Sequence, residues 1–162
     1  MKSIILISSI VFIAFRLNAQ DCIRKSLSNK QILKTSPYQE SKQIKLGGYE
    51  IKLIDAGGQI DSTQLIETVT LSQLMVNELF DILANYNSKP EEVDIRTNCE
   101  FEPRNAVFFL DKGGKLLEYV EICFQCHQFR ASINKKTLGL CFEKDQKLMA
   151  FFKKAGIKYG TY

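Results

Sequence analysis

Cys123-Phe124-Gln125-Cys126-His127 is the one stretch of this chain in which side chains able to do chemistry crowd together at a meaningful spacing. Cys-x-x-Cys-His is the attachment signature of c-type haem: two thiols add to the vinyl groups, and the adjacent imidazole becomes the proximal iron ligand. His127 is the only histidine of the sequence and would have to fill that place, with Met149 or Met75 as the distal ligand. The same two cysteines suit two further chemistries. At a helix N-terminus, Cys123 would be a stabilised thiolate and the nucleophile of a thiol-disulfide oxidoreductase. Joined by Cys99 and Cys141, or with His127 replacing one of them, they offer four ligands to a structural zinc ion. Against the oxidoreductase stands the absence of any proline after Pro103 to face the active cysteines. Against zinc stands the presence of one Cys-x-x-Cys knuckle where two would make a signature.

The remaining account of these cysteines is structural. The chain has 5 cysteines, and in an exported protein such residues point first to disulfides. Cys99, Cys123, Cys126 and Cys141 are the disulfide candidates, and four cysteines allow three pairings that sequence does not choose among. Cys22 is then left over, either free or linking two chains. No phosphate-cradling glycine loop, Gly-x-Ser-x-Gly elbow or second histidine accompanies them. Glu118 and Glu121 are three apart on an expected strand, hence on opposite faces, and cannot act as an acid/base pair. Glu121, if it points inward beside Tyr119 and Cys123, is buried and needs a counter-charge; Arg104 is the nearest candidate, and a structural ion pair is the expectation. No catalytic residue is assigned.

The elements that must hold these residues follow from periodicity. Residues 20–42 are rich in Ser, Lys and Gln, contain Pro37, and read as a polar N-terminal arm. Tyr49 to Leu53 alternate as a half-buried strand does, a turn follows at Asp55 to Gly58, and a second strand runs through Leu65 to Thr70. Ser72 caps a helix ending near Tyr86, with Leu71, Leu74, Met75, Leu79, Ile82 and Leu83 along one face. After a polar loop, the apolar run Ala106 to Leu110, the turn Asp111-Lys112-Gly113-Gly114 and the run Leu116 to Phe124 make a β-hairpin. A short strand near Phe129 to Ile133 and a helix through Leu148, Met149, Phe151, Phe152 and Ala155, closed by Gly156, complete the order. This predicts an α+β domain over residues 43–162: an antiparallel sheet of about four or five strands, covered by two helices and stabilised by disulfides.

The start of the chain indicates its destination. Lys2, the apolar run Ile4 to Phe15 and Leu17-Asn18-Ala19 read as a secretory signal peptide over residues 1–19. The run is about twelve residues, short of the roughly twenty needed to cross a bilayer, and no second candidate span follows. A lipid anchor at Cys22 is disfavoured, because Ala19-Gln20-Asp21 is not the small, apolar lead-in that lipoprotein processing uses. Of 22 basic residues, Lys2 and Arg16 fall in the signal segment, leaving 20 against 18 acidic ones. With a net charge of about +2 and no basic stripe, nucleic acid is not an expected partner.

The stretch from Cys99 to Cys126 resembles a group of small exported bacterial proteins of uncharacterised function. The resemblance rests on Pro103-Arg104, Asp111, Gly114-Lys115 and Glu121-Ile122-Cys123-Phe124-Gln125-Cys126, together with the tail Gly156-Ile157-Lys158-Tyr159-Gly160. It covers the C-terminal third to half of the chain and implies that Cys123 and Cys126 belong to a fold-wide cysteine set. It implies no activity. The expectation is therefore an exported, periplasmic or secreted, non-enzymatic binding or structural domain, with no cofactor. A monohaem electron carrier, a thiol-disulfide oxidoreductase and a structural zinc domain are the alternatives.

Overall fold

The computed structural model describes residues 22–35, 37–50, 53, 60–89, 99–132 and 137–162. The signal-peptide reading of residues 1–19 lies outside them, as does the turn read at 55–58. In chain order the elements are β1 (Ile23–Arg24), α1 (Asn29–Ile32), β2 (Gln43–Tyr49), β3 (Leu65–Thr70), α2 (Gln73–Asn85), β4 (Tyr86–Asn87), β5 (Asn105–Leu110), β6 (Leu116–Cys123), β7 (Gln128–Ala131), β8 (Thr137–Gly139) and α3 (Phe142–Ala155).

The sheet is antiparallel throughout, with 6 strands in the order β3-β2-β5-β6-β7-β8; β1 and β4 form a separate 2-stranded ribbon. The hairpin read from sequence, β5–β6, lies at its middle. Every residue of β5 is buried, because both faces of the sheet are covered there, and that is why 106–110 is a continuous apolar run where an open sheet would alternate. On one face Ile44, Leu46, Val107, Phe109 and Ile122 pack with Leu79, Phe80, Leu148, Phe151 and Phe152 of the long helices. On the other, Tyr49, Ala106, Phe108 and Leu110 form a smaller cluster with Leu53. The architecture is α+β, as expected, with one strand more than the four or five anticipated. The addition, β8, is three residues long, too short to show a period.

The first described strand of the sheet is Gln43–Tyr49, and Ile51 and Lys52 of the alternating stretch Tyr49 to Leu53 lie outside the described residues. Gly47 and Gly48 lie within this strand, where neighbours occupy the space a side chain would fill: a Cβ at Gly47 would sit 2.7 Å from the Phe108 ring, and one at Gly48 3.2 Å from Tyr159 Cβ. The polar arm packs onto the domain. Ile32 is 1% exposed, and the Tyr38 ring packs at a tilt against Phe80 with ring centroids 4.2 Å apart. Leu74, placed on the buried face of α2, is 81% exposed, since Leu79, Phe80 and Ile82 centre the buried stripe on another side of that helix.

Two disulfides close the structure, Cys22–Cys141 and Cys99–Cys126, with Cα–Cα distances of 5.2 and 5.6 Å. They suit an oxidising compartment. Among the described residues no helix is long and apolar enough to cross a membrane.

Candidate functional site

On the sheet face turned away from α2 and α3, the antiparallel register lays Ala106, Glu121 and Arg130 side by side across β5, β6 and β7. Glu121 is 2% exposed. Arg130 approaches its Oε2 with Nε at 3.0 Å and Nη2 at 2.6 Å, and the Tyr49 hydroxyl donates to Oε1 at 3.4 Å. Burial, then the Glu121 charge, push the Tyr49 phenol well above its ordinary range, so it is a neutral donor. A buried carboxylate thus has both oxygens engaged, and its charge is met by a guanidinium whose outer part reaches solvent.

The pair forms the floor of a cleft of about 720 Å³ walled by Glu50, Phe101, Glu102, Pro103 and Arg104. The Phe101 ring lies against the Arg130 guanidinium, 5.0 Å from Cζ to centroid, and Arg104 reaches Glu102 at 3.4 Å. The wall is set by the chain's end. Gly160, at φ 71°, passes so close to β5 that a Cβ there would stand 2.6 Å from Arg104 Cβ. Only a residue without Cβ combines that φ with that approach. The Asn105 amide also donates to the Tyr159 carbonyl at 2.8 Å.

Arg104 therefore lines the same cleft as Glu121 but is not its partner. Arg130 takes that role because it stands directly opposite on the neighbouring strand, whereas Arg104 precedes β5 and pairs with Glu102. Sequence reasoning passed over Arg130, Tyr49, Phe101 and Glu50. A signal for Arg130 was present: Cys123 pairs with Gln128 across the turn 124–127, so counting two residues outward on each strand brings Glu121 to Arg130.

The cysteines divide differently from the expected set. Cys99, Cys126 and Cys141 are bonded, but Cys22 takes the place assigned to Cys123, which is a buried free thiol. The packed arm delivers Cys22 to the N-terminus of α3, where it meets Cys141 and also accepts the Lys144 backbone N–H at 3.4 Å. Cys123-x-x-Cys126 closes a strand-to-strand turn with no helix following, so no helix N-terminus stabilises a thiolate there. Cys126 is committed to Cys99, and His127 turns Nδ1 to Asp145 at 2.9 Å. In this arrangement the motif does not present the two thiols that haem attachment requires, and Met75 and Met149 pack against the core. Cys99, Cys123, Cys126 and Cys141 do not converge on one point either. Among the described residues no group of three His, Cys, Asp or Glu is arranged to hold a metal ion. No family model, curated protein or solved structure matches this chain.

Proposed function

We propose that this is an exported, non-enzymatic binding domain whose ligand seats in the cleft over Glu121 and Arg130. The observation that carries the reading is the buried carboxylate–guanidinium–phenol array beneath an open pocket of about 720 Å³. An ion pair in that position adds little to stability compared with apolar packing, while a cleft of that size with a few fixed polar groups is the usual form of a small-ligand site. Both Glu121 oxygens already accept hydrogen bonds, which favours recognition over proton transfer. Arg104 and Arg130, each with about a third of the side chain exposed, line the cleft with Glu50, Glu102, Phe101 and Pro103. Groups of both signs around an apolar wall suit a ligand that itself carries both charges, such as a short peptide. Export is supported by the signal-like N-terminus and by the two disulfides.

The test is a thermal-shift and titration series with di- and tripeptides, on the wild type and on Arg104→Gln, a substitution outside the buried pair. A saturable response in the wild type that weakens at least tenfold in Arg104→Gln supports the reading. An unresponsive wild type, or equal responses from both proteins, rules it out.

A further inference from the structure

Three charged side chains are almost wholly buried among the described residues: Glu121, Asp145 and Lys144. Glu121 has Arg130 and Asp145 has His127, but Lys144 makes no ion pair among the described residues. Its Nζ donates to the Leu83 carbonyl at 2.9 Å and lies 5.2 Å from the centroid of the Phe129 ring. Its surroundings disfavour the ammonium in three ways. The residue is 5% exposed, the nearby charge is that of Lys25, and it occupies the first turn of α3, where the helix dipole favours anions.

The same side chain lines a pocket of about 170 Å³ between the helices and the sheet, together with Tyr38, Phe109, Val120, Phe129 and Ala131. Glu118 stands on the lining too, with its carboxylate accepting from the Ser132 hydroxyl, and makes no ion pair with Lys144. The arrangement is a mostly apolar chamber whose lining carries one carboxylate, Glu118, held by Ser132, and one ammonium, Lys144, without an ion pair among the described residues. Cavities of about 150 Å³ with apolar walls accept a single benzene ring.

We propose that this pocket is a second binding site, for a small aromatic or branched-chain monocarboxylate whose apolar body lies among Phe109, Val120, Phe129 and Ala131 and whose carboxylate meets Lys144 Nζ. The anion supplies the counter-charge that the described residues do not. Ring-sized acids fit, and long acyl chains exceed the volume. The site is separate from the cleft over Glu121, on the opposite face of the sheet.

Benzoate is the probe, titrated into the full disulfide-bonded chain by calorimetry and followed by NMR shifts of the Phe129 and Lys144 resonances. Benzamide is its neutral counterpart. Saturable benzoate binding is expected, at least tenfold tighter than benzamide, with loss of at least tenfold in Lys144→Met and in Ala131→Phe, which fills the chamber without touching the lysine. If Lys144→Met does not fold, Ala131→Phe and the benzamide comparison still decide. Equal binding of benzoate and benzamide, benzoate binding unaltered in the variants, or no benzoate binding to the wild type would overturn the proposal. Benzoate that binds only after Glu118→Gln would also overturn it, by showing that Glu118 already supplies the counter-charge.

Discussion

His127 Nδ1 lies 2.9 Å from Asp145 Oδ2, and this contact ties the β6–β7 turn to α3. The partners are unequal: the His127 side chain is 60% exposed and that of Asp145 is 1% exposed. Burial raises the Asp145 pKa against the opposing pull of the imidazole, and Oδ1 has no partner of its own. Because the folded pKa lies above the unfolded one, the contribution of Asp145 to stability is favourable at low pH and is lost as pH rises through its folded value. At neutral pH a buried carboxylate then depends on one imidazole.

His127→Ala should accordingly cost ~1–3 kcal/mol at pH 7, the usual penalty for a buried acceptor left alone. The deficit should be smaller at about pH 4, because burial raises the Asp145 pKa and favours the neutral carboxyl as the pH falls. Urea unfolding at the two pH values measures both effects, and a deficit that does not change with pH would mean that the imidazole acts through packing.

For Glu121 and Arg130 the asymmetry lies between breaking the pair and replacing it. Arg130→Met strands a buried carboxylate and should cost ~2–3 kcal/mol, below the full penalty for a buried pair because Arg130 is about one-third exposed. Glu121→Leu combined with Arg130→Met should recover at least ~1 kcal/mol of that loss. A double variant as unstable as the sum of the singles would show that the two side chains act independently.

What was legible in the sequence was whatever local physics decides alone. The β5–β6 hairpin follows from two apolar runs flanking Asp111 to Gly114, and the end of α3 follows from Lys153, Lys154 and Gly156, which sits at φ 101° as a left-handed helix cap. What was hidden depends on distant neighbours. Gly47 and Gly48 lie in a strand where Phe108 and Tyr159 fill the space beside them. Cys22 reads as a leftover because nothing nearby shows that Ile32 and Tyr38 anchor the segment against the core. Of the site, strand parity offered a buried Glu121 only on the condition that it points inward, its partner required the β6–β7 register, and the cleft wall required the chain end to fold back over Arg104.

The cysteine arrangement makes a counting prediction. Denatured without reduction, each chain should take up one alkylating group, at Cys123, and reduction should release four further thiols at Cys22, Cys99, Cys126 and Cys141. The two bridges should also differ in worth. Loop closure over sequence separations of 119 and 27 gives about 5 kcal/mol for Cys22–Cys141 and about 3.5 kcal/mol for Cys99–Cys126. Paired Cys→Ser variants compared by denaturant unfolding should therefore lose more at the first bridge, and the reverse order would indicate a strained or weakly closed Cys22–Cys141 link.

Lys144 predicts an unusual pH profile. Burial, and then the Lys25 charge, lower its pKa from 10.5 to about 8. Below pH 8 the amine is protonated in both folded and unfolded chains, and the full cost of burying the charge is present. Between pH 8 and 10 the unfolded chain holds a proton that the folded chain has released, so stability rises with pH, by at most about 1.4 kcal/mol per unit. Above pH 10 the trend reverses, because burial pushes the Tyr38 phenol up to about 12, and the unfolded chain then loses phenolic protons that the folded chain keeps. Urea midpoints at pH 7, 8.5, 9.5 and 10.5, measured in a Cys123→Ser background to prevent thiol exchange, should rise and then fall. Lys144→Met should remove the rise and, at pH 7, unfold ~1–3 kcal/mol later than its parent, because the charge is no longer taken out of water. A flat parent profile would place solvent or an anion against the amine in solution; where the rise is present, benzoate should carry its onset to higher pH, since a bound carboxylate raises the Lys144 pKa.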